Sequence, residues 1–579
     1  FPIKYELVGK YDAPAVSVDG AQSVSRVDEI DRIDPSIKSD RMIVSEVNTS
    51  LGITMTRRVM GFSQGFHDNY IVCEYEFKNT GNVNDDATIE LPNQTVTGFY
   101  AFFQYRNAIA KDGCNVINNA TRWGINTMND TRGDGVKPDP VGENVRAQYS
   151  WHGKYAGFTR YDNLGAPIWD TPYFDKADTV GRLASAQFLG VVTIHADKSE
   201  TDHTDDPLQP STTTYKDSDN PLNSRNDQFS IAGMTNEYNW MREGHANPRH
   251  ADRVQPDGKF TEPTGDPSLG TSGGYSSANG YGPYTLAPGQ SITIVMADAA
   301  GGLSREKQVS VGRRYKAGQI NAKAKNDSVF TGRDSLFQAF RRSIANYQSG
   351  YNIPQAPKPP MTFSVTSGGD KISLSWDLYD GEAANARGFE IYRTSKRYDA
   401  DTVKLLYTAA AGDRSYNDTS AIRGVAYYYH MLVVGDPAAN TGTGGTPAGV
   451  ALKSNRVLSQ TYDPAFLKRQ AGPALSGAQG LSAVRIVPNP FVNETGVKYS
   501  GAGQENVIKF FNIPGYCTIK IYTEVGELIK EITHTDGSGD ESWNSLTSSG
   551  QLIVSGVYIV VFEDTRAGGK LIQKFVVIR

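Results

Sequence analysis

Val484-Arg-Ile-Val-Pro-Asn-Pro-Phe491 is a short apolar run stopped by two prolines, which suits a first strand at a sheet edge, where a missing N–H is harmless. Ile508-Lys-Phe-Phe-Asn-Ile-Pro514 and Cys517-Thr-Ile-Lys-Ile-Tyr522 alternate as half-buried strands must. Glu524-Val-Gly-Glu527 supplies the glycine of a hairpin turn, and a strand follows at once. Beyond a polar connection carrying Trp543 come Gly550-Gln-Leu-Ile-Val-Ser-Gly-Val-Tyr-Ile-Val-Val-Phe562, a Gly568-Gly569 turn and the closing strand Leu571-Ile-Gln-Lys-Phe-Val-Val-Ile-Arg579. Pattern alone reads residues 481–579 as a small all-β sandwich.

The rest of the chain has the same character. Its 579 residues allow three or four domains, each with its own core. The 58 glycines, 31 tyrosines and 21% charged residues describe turn-rich, aromatic-rich β structure. A net charge of −5 gives no footprint for nucleic acid or an acidic membrane. No apolar run reaches the roughly eighteen residues of a membrane span. A chain that begins at Phe1 and not Met is expected to have lost a signal peptide. Three cysteines cannot close a disulfide framework. The pair to test is Cys73 and Cys114, although Cys73 shares the alternating face of Ile71, Tyr75 and Phe77 and reads as a buried small hydrophobe.

In chain order, residues 1–40 read as an extended arm. Residues 41–350 read as a large β domain with strands at Ile43-Val44, Gly52–Met60, Tyr70–Phe77, Ala87–Leu91, Val96–Tyr105, Phe188–His195 and Ser291–Met296, spaced as in a β-sandwich. Residues 196–290, rich in Asp, Asn, Ser, Thr, Gly and Pro, are either long surface loops or an element the pattern hides. Two helices close the domain, one over 303–315 and one capped by Asp334, with Leu336, Phe340, Ile344 and Tyr347 on one face. Residues 351–360 form a proline-rich linker. Residues 461–480 link the next module, 361–460, to the last, 481–579.

Two resemblances follow. Pro488-Asn-Pro-Phe491, the Ile519 to Gly526 hairpin, Trp543, Ser555-Gly-Val-Tyr558 and the ending from Lys574 resemble the C-terminal sorting domain of type IX secretion cargo, with Trp543-Asn-Ser where the family has Trp-Asp-Gly. Met361–Val365, Lys371–Trp376, Gly388–Arg393 and Ala426–Val434 resemble the strands of a fibronectin type III domain. Trp376 would be its core tryptophan, one of Tyr427 to Tyr429 its corner tyrosine, and 435–449 its last hairpin loop. The segment from Asn69 to Asn82 also resembles the large N-terminal β domain of cell-surface proteins that carry the same sorting domain. These resemblances imply export across the outer membrane by the type IX machinery to the cell surface.

Candidate chemistry is sparse. His195, His203, His245 and His250 fall near Asp202, Asp205, Asp206 and Glu243, without the spacing a zinc site needs. Asp130-Thr-Arg-Gly-Asp134-Gly135 and Asp217-Ser-Asp219-Asn220 place oxygen ligands beside turns, so calcium is the ion to look for. Arg132-Gly133-Asp134 is an integrin-type tripeptide too short to weigh, and the glycine-rich 270–282 reads as a flexible loop. Trp123, Trp151, Trp169 and Trp240 are candidates for stacking on sugars, against core packing. Asp178-Thr-Val180, Asp327-Ser-Val329, Asp334-Ser-Leu336 and Asp401-Thr-Val403 resemble a bacterial O-glycosylation sequon. No nucleophile signature occurs, and no catalytic, cofactor or metal residue is assigned.

The fold expected is mainly β, several immunoglobulin-like β-sandwich domains in series with a few short helices. The function expected is that of a non-catalytic secreted structural protein of the cell surface, used as the repeating subunit of a filament or sheath. Its partners would be other copies, joined when the arm Phe1–Val8 adds to a sheet edge, the type IX machinery and surface glycans. The alternative is a glycan-binding protein or glycoside hydrolase with its site in loops 107–290, told apart by paired carboxylates or a metal in a concave pocket.

Overall fold

A computed structural model of the chain describes residues 1–23, 25, 29–107, 109, 127–136, 145–153, 164–167, 181–217, 229–263, 275–398, 403–476, 478–492 and 507–579. The protein is mainly β and divides into two units. The first comprises Phe1–Asp12, Glu29–Gln355 and Pro437–Val450, and the second Ala13–Asp28, Ala356–Asp436 and Ala451–Arg579.

The first unit is layered. Its nine-stranded sheet runs Arg32–Ile33, Pro2–Gly9, Arg41–Asn48, Ile53–Gly61, Tyr70–Asn79, Ser291–Gly302, Gln187–Ala196, Arg146–His152 and Thr127–Arg132, antiparallel apart from the short first pairing. Alternation gives it two apolar faces. Ile292, Ile294, Met296 and Phe77 meet Ala101, Tyr281 and Leu286 from a three-stranded sheet of Thr212–Asp217, Tyr275–Leu286 and Val96–Tyr105. On the other face Val72, Val295, Trp151 and Phe188 pack under Leu336, Phe337 and Phe340 of the helix Gly332–Gln348. Gly301 is what lets that helix close on the sheet, since a Cβ there would overlap the backbone of Leu336.

Several expectations change here. The arm is a sheet strand, Pro2–Gly9, paired with Arg41–Asn48 of its own unit, because its alternation matches the neighbouring edge. Ala87–Leu91 forms no strand; Glu90 instead accepts from Val83 N–H. Among its described residues, the stretch 196–290 hides two strands, the short helix His250–Val254 and the helix Ile231–Met241, whose buried Trp240 lies 4.9 Å from Phe102. The described part of 270–282 is strand, not loop, because its small residues Ser276, Ser277, Ala278 and Asn279 fit between two neighbours. Asp334 sits in the first turn and Thr331 takes the cap, since the helix Ala322–Phe330 runs almost directly into the next. Segment 437–450 belongs to this unit and is no hairpin loop of the second, with Thr446 hydrogen-bonded to buried His67 at 2.9 Å.

The second unit holds two sandwich cores. In the first, Thr362–Ser367, Ile372–Asp377 and Ser415–Asp418 form a sheet that Ala15–Val18 extends as a parallel strand. Ala386–Ser395, Lys404–Ala410 and Tyr427–Gly435 form the facing sheet, with Trp376 buried against Phe389. Tyr427 Oη accepts from Ile422 N–H at 3.1 Å and so ties down the preceding loop. Residues 452–461 make no regular strand. Ser454, Ser459 and Thr461 hydroxyls instead bond the backbone of Tyr427–Gly435.

The second core lies between a sheet of Arg485–Val487, Ile508–Phe511 and Asp540–Trp543 and one of Phe491–Val492, Lys570–Ile578, Gly556–Asp564, Cys517–Thr523 and Leu528–His534. The run from Val484 therefore supplies edge strands to both sheets and not one, with the two prolines at the crossing. Ser545 takes the left-handed conformation, φ 60°, at the place where Trp-Asp-Gly would have glycine. The linker expected over 461–480 is packed structure, since Ala465 enters the first core and Leu475 the second.

Candidate functional site

A cavity of about 500 Å³ opens at one end of the first unit's sandwich. Its position follows from strand geometry. Tyr70–Asn79 begins there, Ser291–Gly302 ends there, Tyr105 and Ser277 come from the smaller sheet, and Asn107 follows its strand Val96–Tyr105. Ile71, Leu189 and Val191 give it an apolar wall. Ile71 keeps 41% of its surface exposed although Tyr75 and Phe77, on the same strand face, are packed in the core.

Asp298 is the charged centre of this wall. It continues the inward series Ile292, Ile294, Met296 by one more alternation and stands opposite Ile71 and Val191 in the two ladders. Its hydrogen-bond partner is the Cys73 thiol, Sγ to Oδ2 3.9 Å. Burial pushes the Asp298 carboxyl up to about 6. Burial, together with the Asp298 charge, pushes the Cys73 thiol up to about 12. The Tyr75, Tyr105 and Tyr281 phenols are likewise raised by burial and stay neutral. Gln148 is buried in the same wall; its Nε2 donates to Thr214 O, and its Oε1 has no partner. Asn69 likewise donates to Ala300 O and leaves Oδ1 without one.

The residues singled out by sequence go elsewhere. Asp197 accepts from His195 Nε2 at 2.8 Å, from His203 Nδ1 at 2.7 Å and from Thr293 N–H at 2.8 Å. Burial opposes its ionisation, and these bonds more than offset that, so its carboxyl lies below the usual range. Arg146 holds Asp205 through both carboxylate oxygens, at 2.9 and 3.0 Å. His245 bonds Thr213, while His250 accepts from Asn129 N–H and is pushed down to about 3 by burial. The four histidines thus serve three separate hydrogen-bond sets. Among the described residues no group of three His, Cys, Asp or Glu is placed to hold a metal.

The turn read as a calcium candidate is filled by arginine. Asp130 takes Arg132, Arg249 and the Tyr149 hydroxyl, and Asp134 takes Arg249 and Thr213. Buried there, Arg132 and Asp134 offer no integrin-type loop. Trp151 and Trp240 are core residues and present no sugar platform. Asp327-Ser-Val329 and Asp334-Ser-Leu336 lie on helices. Cys114, Trp123, Trp169, Asp219, Asn220, Asp178-Thr-Val180, Asp401 and Thr402 lie outside the described residues. Asp298 was missed because the strand was read to stop at Met296. The alternation itself carries the signal, an acid at the next inward position.

No protein-family model and no curated protein matches the chain. Among solved structures, PorZ, described as an essential bacterial surface component of the type IX secretion system of Porphyromonas gingivalis, aligns at 14% identity and TM-score 0.17, over 38% of this chain and 23% of its own. A two-domain fibronectin type III segment of chicken tenascin aligns at 9% identity and TM-score 0.15, over 38% and 98%. The FN1–FN3 domains of chicken CNTN1 align at 13% identity and TM-score 0.12, over 38% and 66%. The chain spans less than a quarter of the PorZ structure. TM-scores this low carry no argument about function.

Proposed function

We propose that this chain is a non-catalytic protein of the cell exterior that binds a small ligand in the inter-sheet cavity of its first unit. The observation that carries the reading is the cavity: about 500 Å³, within the range of small-molecule sites, with apolar walls and a carboxyl that no cation of the chain occupies among the described residues. The exterior location, with export by the type IX machinery, rests on the sorting-domain signatures from Pro488 to Arg579. The test is a thermal-shift screen of the intact chain against small amines, alcohols, carboxylates and mono- and disaccharides, repeated on Ile71→Arg, which plugs the opening. Stabilisation by at least one compound, lost in the variant, supports binding. A flat screen sinks the reading, and turnover of a bound saccharide that Asp298→Asn abolishes replaces it with a glycoside hydrolase.

A second reading, assembly into a filament or sheath, is favoured by the sheet edge at Pro2–Gly9. Residues 31–33 cover its end at residues 7–9, and Phe1, Ile3 and Tyr5, beyond it, are 60, 42 and 70% exposed. An open, apolar edge strand is a template for pairing, and the occupant proposed is the same edge of a second copy. Sedimentation velocity of the intact chain against Ile3→Lys/Tyr5→Lys tests it. Assembly abolished by the lysines is the expected result; a monodisperse monomer for the intact chain excludes the filament.

A further inference from the structure

A carboxyl in an apolar wall is costly to ionise unless a cation or several donors meet it. Among the described residues of this unit, the acids buried most deeply have such partners: Asp130 and Asp134 have Arg249, and Asp197 has two imidazoles, whereas Asp298 is half-buried at the cavity wall. Asp298 has a thiol at 3.9 Å, a weak donor held neutral by burial. The other titratable groups around it among the described residues, Tyr75, Tyr105 and Tyr281, are neutral phenols. Arg57 stands opposite Tyr75 on the next strand. Gln148 Oε1 and Asn69 Oδ1 are further acceptors in that wall without a partner. Both amides are oriented by donating to a carbonyl, so each must turn its oxygen away from that bond. Among the described residues that line the cavity, none is a cation.

Resting on the binding reading above, we infer that the ligand is an amine: an ammonium group donating to Asp298, carried on an apolar body that lies along Ile71, Leu189 and Val191. The geometry fixes the order of its parts. Asp298 stands opposite Ile71 on one side and Val191 on the other, so the charge enters between the two aliphatic side chains and the body covers them. A neutral alcohol would offer one donor and no charge. An organic acid would place a second anion against Asp298.

Isothermal titration calorimetry of the intact chain at pH 7.5 tests this with two bodies in three charge forms: tryptamine, tryptophol and indole-3-acetate, and phenethylamine, 2-phenylethanol and phenylacetate. The expected result is that each amine binds about tenfold or more tightly than its alcohol, as a charge-assisted hydrogen bond implies, with no acid binding. In Asp298→Asn the preference disappears while the alcohol's affinity is kept. In Ile71→Lys, whose own ammonium can reach Asp298, the amine no longer binds. Circular dichroism melts show that each variant is folded. Alcohol and amine of equal affinity in the unmodified chain, or a preference for the acid, would overturn the amine and leave the cavity reading standing. If none of the six binds at millimolar concentration, the amine falls, and the cavity reading falls with it only if the wider thermal-shift screen is also flat.

Discussion

At Asp298 the cost of a carboxyl partnered by a thiol and not by a cation can be read from pH. Its folded-state value, pushed up to about 6, lies above that of the unfolded chain, so the folded state holds the proton more tightly. Stability from this group is therefore highest below about pH 4, declines between about 4 and 6, and carries the full penalty above 6. Cys73, Tyr75, Tyr105 and Tyr281 do not titrate in that window. Asp298→Asn should raise unfolding free energy at pH 7 by about 2 kcal/mol and leave it unchanged at pH 4, as urea melts at both pH values would show. Equal gains at the two values would mean that the carboxyl pays no burial penalty. Arg249 makes the opposite case. It compensates Asp130 and Asp134 together, so Arg249→Met leaves two buried acids short of a partner and should destabilise by about 3 kcal/mol. A loss under about 1 kcal/mol would show that Arg132 and Thr213 suffice.

The helix Gly332–Gln348 depends on glycines beneath it. A Cβ at Gly301 would overlap the backbone of Leu336, and one at Gly190 would come within 2.9 Å of the Phe340 ring. Gly301→Ala should therefore cost about 2 kcal/mol or more in urea melts, because a backbone cannot move aside as a side-chain end can. An unchanged midpoint would mean that the helix rides higher on the sheet than its contacts imply. That helix was legible, since Leu336 and Phe340 recur at its period and both are buried, as were the strands whose inward residues are large aliphatics. Tyr275–Leu286 was not. Its first buried positions, Ser276 to Gly280, are small and carry no apolar alternation, and the large buried residues Tyr281, Tyr284 and Leu286 come only toward its end, around Gly282 and Pro283. Ile231–Met241 was hidden for a related reason, with Trp240 its one buried residue. The cavity was half legible: Asp298 sits on a readable period, but its meeting with Asn69, Asn107 and Gln148 depends on a pairing order that brings distant strands together.

The whole chain does not run unit by unit. Residues 13–28 leave the first unit for the second, and residues 437–450 return to the first. Sequence could mark the proline-rich stretch where the units divide, but four residues such as Ala-Val-Ser-Val are too short to announce a strand of a module that begins more than three hundred residues later. Yet Val16 and Val18 are 1% and 5% exposed, share a core with Phe363, Trp376 and Tyr429, and sit in register with Phe363 and Val365. Truncating both removes four buried carbons, about 3 kcal/mol of transfer free energy before any cavity term. In scanning calorimetry of the full chain, Val16→Ala/Val18→Ala should lower the second unit's transition by roughly 6 °C or more. The first unit's transition should stay in place, because neither side chain contributes to its cores. An unmoved profile would mean that the segment only lies against the sheet edge. Loss of both transitions together would mean that the units unfold as one.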